Sequence, residues 1–265
     1  MNSADYSQRF GGIERLYGSA AIPHLRAMHV CVIGIGGVGS WAAEALARSG
    51  IGTLTLIDHD QVCISNVNRQ LHALGDTVGE KKTAVMARRI AAINPHGTCH
   101  VVDDFITRDN YRELLAPERG YDYVIDAIDS ILFKALIIYT CKRNKIPVIT
   151  TGGAGGLTDP TMIQVRDLSR TYNDPLAAKV RARLRDEFNY SRNARKGFGV
   201  ECVFSSQQQL YPRGDGTVGH DKPGIHGVHL DCRFGYGSAS FVTGSFAFAA
   251  VARVIHKTLK KRMTS

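Results

Sequence analysis

His29-Val30-Cys31-Val32-Ile33-Gly34-Ile35-Gly36-Gly37-Val38-Gly39-Ser40 is the stretch that decides the fold. Residues 30–33 form an apolar run rich in β-branched side chains, as a buried strand requires. The run ends in Gly34-Ile35-Gly36-Gly37-Val38-Gly39, a G-x-G-x-x-G turn, and residues 39–49 then take up helical spacing. Such a turn lets backbone N–H groups and a helix N-terminus approach phosphate closely. Residues 53–57 predict a second strand, and Asp58 closes it at about the spacing at which an acid holds a ribose hydroxyl. The glycine turn alone is a weak signal. In this strand–helix–strand–acid context it points to a bound nucleotide rather than to a purely structural turn.

Outward from that unit the pattern repeats. Residues 81–93 predict a helix stopped by Asn94-Pro95, and residues 99–102 a strand. Strands at 123–125 and 147–150 flank a helix over 133–144. Alternation of this kind implies right-handed crossovers and a largely parallel sheet flanked by helices, a Rossmann-like α/β fold. Residues 9–28 form a polar helical arm before it. After the turn Gly152-Gly153-Ala154-Gly155-Gly156 come a strand at 161–165 and a helix over 174–188, with Asp174 as N-cap and Pro175 in the first position. A short strand at 202–205 separates two loop-like stretches, 189–199 and 212–229, and a C-terminal helix closes the chain. The expected organisation is one domain over 1–265: a nucleotide-binding core at 9–165 and an extension at 166–265.

With 265 residues, 44% hydrophobic and 22% charged, the chain has the balance of a globular protein with a filled core. The six cysteines, at 31, 63, 99, 141, 202 and 232, include no C-x-x-C pair, so a structural zinc site of ordinary spacing is not supported. Several lie in apolar runs, as buried reduced cysteines do. With a polar N-terminus that lacks a signal-peptide stretch, this predicts a cytoplasmic protein. The net charge of +9 suits a polyanionic partner such as nucleic acid, or simply a soluble basic protein. Residues 234–252 carry no charge and approach membrane-spanning length. Gly, Ser, Thr and Ala dominate them and Leu is absent, which favours a buried helix. The basic tail Lys257, Lys260, Lys261 and Arg262 suits a helix C-terminus.

NAD needs little beyond the glycine turn and an acid. ATP adds a polyphosphate with its metal ion, and so calls for cations and further carboxylates. The chain supplies them in order: Asp60, Asn66, Arg69 and Gln70, then Lys82 at a helix start, then Asp126 and Asp129 at the end of the 123–125 strand. Each charge alone is more simply a solvated surface group. Their joint placement after successive strands outweighs that, because open α/β sheets collect ligands at the carboxyl ends of their strands.

The turn at 34–39, with LTLIDHDQVCISNVNRQ, VGEKK and YVIDAIDS, resembles the MoeB/ThiF and ubiquitin-activating family of adenylating enzymes. The resemblance covers roughly 9–165. It implies a homodimer that uses ATP and Mg²⁺ to activate a carboxylate. Gly34, Gly36, Gly37, Gly39 and Asp58 would hold the nucleotide, Asn66, Arg69 and Lys82 its phosphates, and Asp129 the magnesium. RFGGIERLYG, CKRNKIPVITTGGAGG, DPLAAKVRARL and VECVFS extend the likeness over essentially the whole chain, to the branch that dehydrates threonylcarbamoyladenosine beside the anticodon of tRNA. That branch implies adenylation of the threonylcarbamoyl carboxylate, intramolecular ring closure, and a working link to a cysteine desulfurase and its sulfur acceptor. Two features depart from the wider family. The zinc cysteines are missing. Gly12-Ile13 stands where an Arg-Gln pair reaches the neighbouring subunit's ATP, leaving Arg9 or Arg15 to do so. The alternative substrate is the C-terminus of a ubiquitin-like sulfur carrier.

The helix over 174–188 carries Lys179, Arg181, Arg183 and Arg185 beside an apolar side of Leu176, Val180 and Leu184. It is either a tRNA-binding face or an ordinary solvated one, and the net charge favours RNA. Cys202 is the tempting thiol for acyl transfer, but its neighbours Val203 and Phe204 favour a buried strand position. His220, His226, His229 and Cys232 match no metal-site spacing, so exposed loop histidines are expected.

Overall fold

The computed structural model describes residues 3–193, 195–221 and 237–264. Two helices, α1 (Ser3–Tyr17) and α2 (Ala21–Arg26), lead into β1 (His29–Ile33). There follow α3 (Gly39–Arg48), β2 (Thr53–Ile57), α4 (Lys82–Ile93), β3 (Thr98–Val102), a short α5 (Tyr111–Leu114), β4 (Tyr123–Asp126), α6 (Ile131–Arg143) and β5 (Val148–Thr151). The second half adds β6 (Ile163–Asp167), α7 (Pro175–Phe188), β7 (Glu201–Ser205), a two-residue hairpin β8 (Tyr211–Pro212) and β9 (Val218–Gly219), and α8 (Ser240–Met263).

The seven-stranded sheet runs β3-β2-β1-β4-β5-β7-β6. Every pairing is parallel except β6 with β7, which is antiparallel. The order reverses between β1 and β4, so their carboxyl ends flank the crevice where open α/β sheets bind ligands. Strand alternation sorts the core onto two faces. Val30 and Val32 of β1 meet α2, α3, α4 and α8 through Leu25, Leu46, Met86 and Phe246. Cys31 and Ile33 meet α5, α6 and α7 through Leu114, Ile137 and Leu184.

The expected α/β architecture is thus observed, with three adjustments. The N-terminal arm is two helices, broken where Gly18 takes a φ of +85°. The strand expected at 161–165 begins later, because Asp159 accepts a hydrogen bond from the Thr161 N–H at 2.8 Å and winds Pro160–Met162 into a 3₁₀ turn. The extension after 165 is also woven into the core: β7 lies between β5 and β6, and α8 packs along α3. Asp174 caps α7 as expected, accepting from the Ala177 N–H at 2.8 Å. Of the uncharged stretch 234–252, residues 237–252 are described; from Ser240 they are the start of α8, and Val242, Phe246, Ala247 and Ala250 are buried. Among the described residues no helix is long and apolar enough to cross a membrane.

Gly34 and Gly39 are glycines by necessity. Gly34 has a φ of +87°, and a Cβ there would lie 2.8 Å from Ile128 Cγ2. A Cβ on Gly39 would lie 1.7 Å from the Gly34 carbonyl oxygen, a backbone atom that cannot rotate away. Gly39→Ala is therefore expected to cost about 3 kcal/mol of stability. A melting temperature equal to that of the unsubstituted protein would show that the turn is looser than described.

Candidate active site

The site grows from the loop after β1. The N–H groups of Gly36, Gly37 and Val38 have no hydrogen-bond acceptor among the described residues, and they stand at the start of α3. Such a nest of donors at a helix N-terminus is suited to receiving an anion. The nest is held from behind at one peptide on each side of Ile35. Its N–H donates to Asp58 Oδ2 at 2.6 Å, and its carbonyl lies 2.7 Å from His72 Nε2. His72 is fully buried, and burial pushes its pKa down. It is therefore a neutral imidazole whose Nε2–H donates to that carbonyl. Asp58 also accepts from the Asp60 N–H at 2.8 Å through Oδ1. The acid expected to hold a ribose thus also fixes the phosphate turn.

The loop after β2 brings up the cations. Lys82, largely buried, pairs with Asp60 Oδ2 at 2.8 Å. A Cβ on Gly37 would sit 3.5 Å from Arg69 Cγ, so the Arg69 side chain flanks the nest. Its Nη1 donates to the Ser65 carbonyl at 2.7 Å and to Asn68 Oδ1 at 2.9 Å, and among the described residues it has no carboxylate partner. Asn66 is buried and shapes this loop: its Oδ1 accepts from the Cys63 N–H at 3.1 Å, and its carbonyl accepts from the N–H groups of Arg69 and Gln70. Gln70 Nε2 would lie 3.9 Å from a Cβ on Gly36, and its Oε1 is buried without a partner among the described residues.

The loop after β4 faces the nest from across the crevice. Asp129 is exposed there, just before α6. Asp126 is different, and here the sequence-based expectation is corrected. It is fully buried, with Oδ2 accepting from Thr150 Oγ1 at 2.6 Å and paired with Lys134 Nζ at 3.0 Å. Burial pushes its pKa up, against the pull of Lys134 and Thr150. Its carboxylate is spent inside the protein and is not open to a nucleotide. Lys134 also donates to the Ile128 carbonyl at 2.9 Å, so this buried pair pins the segment that carries Asp129. No cluster of three or more His, Cys, Asp or Glu able to hold a metal occurs among the described residues. A single open carboxylate beside a phosphate nest fits Mg²⁺, which is held by one or two carboxylates together with substrate phosphates rather than by a protein cage.

Sequence reasoning missed His72, which holds the Ile35 carbonyl, and three further contributors. Lys134 is one; its signal was a lone lysine in an otherwise apolar helix. Thr243 of α8 is another, since its Oγ1 donates to the Arg69 carbonyl at 3.2 Å and its methyl limits space at Gly37. Trp41 Nε1 donates to the same carbonyl at 3.0 Å. Neither long-range contact has a local signature.

Arg9 and Arg15 lie on α1, which is anchored away from the nest. Tyr6 donates to the Gly50 carbonyl at 2.7 Å, and Asp5 meets His96 at 2.6 Å, both just before the amino ends of β2 and β3. Within one chain neither arginine stands at the carboxyl-end crevice. On α7, Lys179 is exposed, Arg183 pairs with Glu187 at 2.7 Å, and Arg185 lies over the Phe198 ring. Arg181 is half-buried and donates to Thr171 Oγ1.

Cys202 is fully buried, and burial pushes its thiol far up. Such a group is neither accessible nor ionised, so Cys202→Ser is expected to keep the activity. Loss of activity in a folded Cys202→Ser protein would restore a thioester role. Among the described residues Cys63 is the exposed thiol, its pKa lowered by the Ser65 hydroxyl at 3.3 Å. His220 Nδ1 lies 3.1 Å from the Gln209 carbonyl, while His226, His229 and Cys232 lie outside the described residues.

Comparison with known proteins gives the family and the fold. The ThiF family model matches residues 11–265. The tRNA threonylcarbamoyladenosine dehydratase of Escherichia coli K12 is 54% identical over 97% of this chain and 95% of its own. The crystal structure of the E. coli enzyme TcdA in complex with ATP superposes with a TM-score of 0.86, at 50% identity, covering 98% of this chain and 97% of that one. The E. coli molybdopterin-synthase adenylyltransferase is more distant, 31% identical over 48% of this chain and 49% of its own.

Proposed function

This chain belongs to the ThiF family, and we infer from that membership and from its site that it is an ATP-dependent dehydratase of threonylcarbamoyladenosine in tRNA, beside the anticodon. The observation that carries the reading is the phosphate nest of residues 36–38 flanked by Arg69, a cation without a carboxylate partner among the described residues, on a chain that matches the dehydratase over nearly its full length.

The substrate carboxylate attacks the α-phosphorus of ATP, the bond to the β-phosphate oxygen breaks, and pyrophosphate leaves. The resulting acyl-adenylate is attacked by the carbamoyl nitrogen or oxygen of the same modification. A ring closes, AMP departs, a proton is released, and the nucleoside has lost one water. Closure is intramolecular and gains high effective molarity, so no protein nucleophile is required. Asp58 holds the ribose, with the glycine turn of 34–39 beneath the phosphates. Arg69 and Lys82 stabilise the charge that builds on the departing oxygens, and Gln70 lies against the turn. Asp129 supplies the carboxylate for Mg²⁺, which screens the polyphosphate charge when bound. Asp60 orients Lys82, and Asp126 supports the Asp129 loop through Lys134.

The protein works as a homodimer in this reading. Ile64, Val67, Leu74, Phe241 and Phe248 are exposed apolar side chains on the 64–78 loop and α8, two segments joined by the hydrogen bond from Thr243 Oγ1 to the Arg69 carbonyl at 3.2 Å. Such a set suits burial against a second copy. Arg9 or Arg15 of one copy then serves the other's phosphates. Light scattering at micromolar concentration is expected to give twice the chain mass; a monomer mass would remove the trans arginine. Lys179 meets RNA phosphates from the outer face of α7, and the setting is cytoplasmic.

Mass spectrometry of tRNA nucleosides after incubation with protein, ATP and Mg²⁺ tests the whole. Loss of one water from threonylcarbamoyladenosine is expected, and chelation of Mg²⁺ abolishes it. No mass change in tRNA known to carry the substrate, with an acyl-adenylate formed at the C-terminus of a ubiquitin-like sulfur carrier and pyrophosphate released instead, would favour carrier adenylation.

A further inference from the structure

A cavity of about 450 Å³ opens beside the amino end of α7, with Asn173, Ala178, Arg181, Gln209 and His220 in its wall. Its volume is within the range of small-molecule sites, roughly 300–1,000 Å³. Two hydrogen bonds tie it to the turn that leaves the carboxyl end of β5. The Gly153 N–H donates to Asp174 Oδ2 at 3.0 Å, and Gln209 Nε2 donates to the Gly155 carbonyl at 3.0 Å. In the sheet β5 is the neighbour of β4, whose end leads to Asp129. The cavity therefore lies at the nucleotide end of the sheet, displaced sideways by a strand or two, at about 4.8 Å per strand. Asp174 also feels the charge of Lys134, the lysine that pins the Asp129 loop.

Arg181 is the unusual group in this wall. Apart from Nη1, given to Thr171 Oγ1, its guanidinium N–H groups have no acceptor among the described residues, and it has no carboxylate in an ion pair. Asp174, the acid beside it in the wall, has both oxygens engaged by the N–H groups of Ala177 and Gly153. Burial and the charge of Arg185 oppose the Arg181 cation and outweigh the pull of the nearby Asp174 charge. Its neighbours on α7 are already satisfied: Arg183 by Glu187, Arg185 by a ring face. A half-buried cation with unspent donors at the mouth of an amide-lined cavity is built for an anion on a polar ligand.

We propose that this cavity receives the modified nucleotide of the RNA substrate, with Arg181 pairing with a backbone phosphate, at a subsite separate from the ATP crevice. The base then lies at β5 and β7, and its threonylcarbamoyl arm reaches across β4 to the α-phosphate. Gln209 is held by the Gly155 carbonyl and Asn173 gives one N–H to the Ser206 carbonyl, so the exposed Gln208 and the side-chain oxygen of Asn173 are the amide groups left to meet a purine edge. This assignment rests on the RNA-modifying reading above.

Two variants test it. Arg181→Ala removes the cation. Ala178→Phe fills the cavity from an exposed helix position and deletes no contact. Both are expected to raise the KM for tRNA about tenfold while the KM for ATP stays within about twofold. Arg181→Ala alone also lowers the log–log salt slope of tRNA binding by about one. Ala178→Phe with an unaltered tRNA KM, or with an ATP KM raised equally, overturns the proposal. If Arg181→Ala fails to fold, Ala178→Phe decides alone. Direct tRNA binding to the same proteins without ATP separates the two levels. Absence of dehydration by the unsubstituted protein sinks the functional reading, while equal tRNA affinity of all three proteins sinks the subsite.

Discussion

Arg69→Ala is expected to slow acyl-adenylate formation by about 10²–10³-fold, the loss typical when a preorganised charge donor to a transition state is removed. The magnitude follows from what the guanidinium touches. Lys82 is already paired with Asp60, and its charge is partly spent. Among the described residues the Arg69 guanidinium bonds only the neutral Ser65 carbonyl and the Asn68 amide, so in the proposed site its full charge is left for phosphates beside Gly37. The variant should remain folded, because Trp41 and Thr243 bind the backbone carbonyl of Arg69 and not its side chain. Arg69→Lys recovers only part of the loss, since an ammonium cannot grip two phosphate oxygens in a fixed fork. Substrate-dependent exchange of pyrophosphate into ATP measures the step. A decrease below about threefold would mean that the phosphates lie elsewhere.

The second large effect is on stability. Lys134→Met is expected to cost about 3–5 kcal/mol, because it leaves Asp126 buried with its charge uncompensated. For a chain of this size the melting temperature falls by about 2–4 °C per kcal/mol, so a drop of roughly 6–20 °C is expected. Thr150 remains as a donor to Asp126 but brings no charge. Replacing both partners, Lys134→Met with Asp126→Leu, should recover most of the loss, since neither charge then has to be buried. Scanning calorimetry of the single and double variants checks this; equal melting temperatures for Lys134→Met and the unsubstituted protein would deny the pair any structural weight. Activity of the double variant should stay low, because the hydrogen bond from Lys134 to the Ile128 carbonyl, which orders the Asp129 loop, is gone.

Much of this fold was legible because its signals are local. The strand at 30–33, the glycine turn and the acid at 58 are consecutive, and the periodicities of 81–93 and 174–188 need no partner to be read. The cap of Asp174 on α7 was legible for the same reason. What stayed hidden depends on strand order and on contacts far apart in the chain. The sequence of β7 contains nothing that places it between β5 and β6. Asp126 and Asp129 look alike as acids after one strand, yet the pleat and a lysine eight residues on bury the first and leave the second exposed. The four basic residues of α7 look equivalent in a helical projection. Only the partners Glu187, Phe198 and Thr171, brought by different turns of the chain, make them different.

The peptides on either side of Ile35, gripped by Asp58 at the N–H and by neutral His72 at the carbonyl, bear on the entropy of nucleotide capture. A phosphate loop that must be ordered by its ligand loses about 1–2 kcal/mol per residue in conformational freedom, and the observed affinity is lower by that amount. Here the turn is tied down by the protein's own side chains, and its donors are aligned before any phosphate arrives. Nucleotide binding then draws on contact energy almost undiminished, and the strain-free turn is equally ready to release AMP and accept the next ATP.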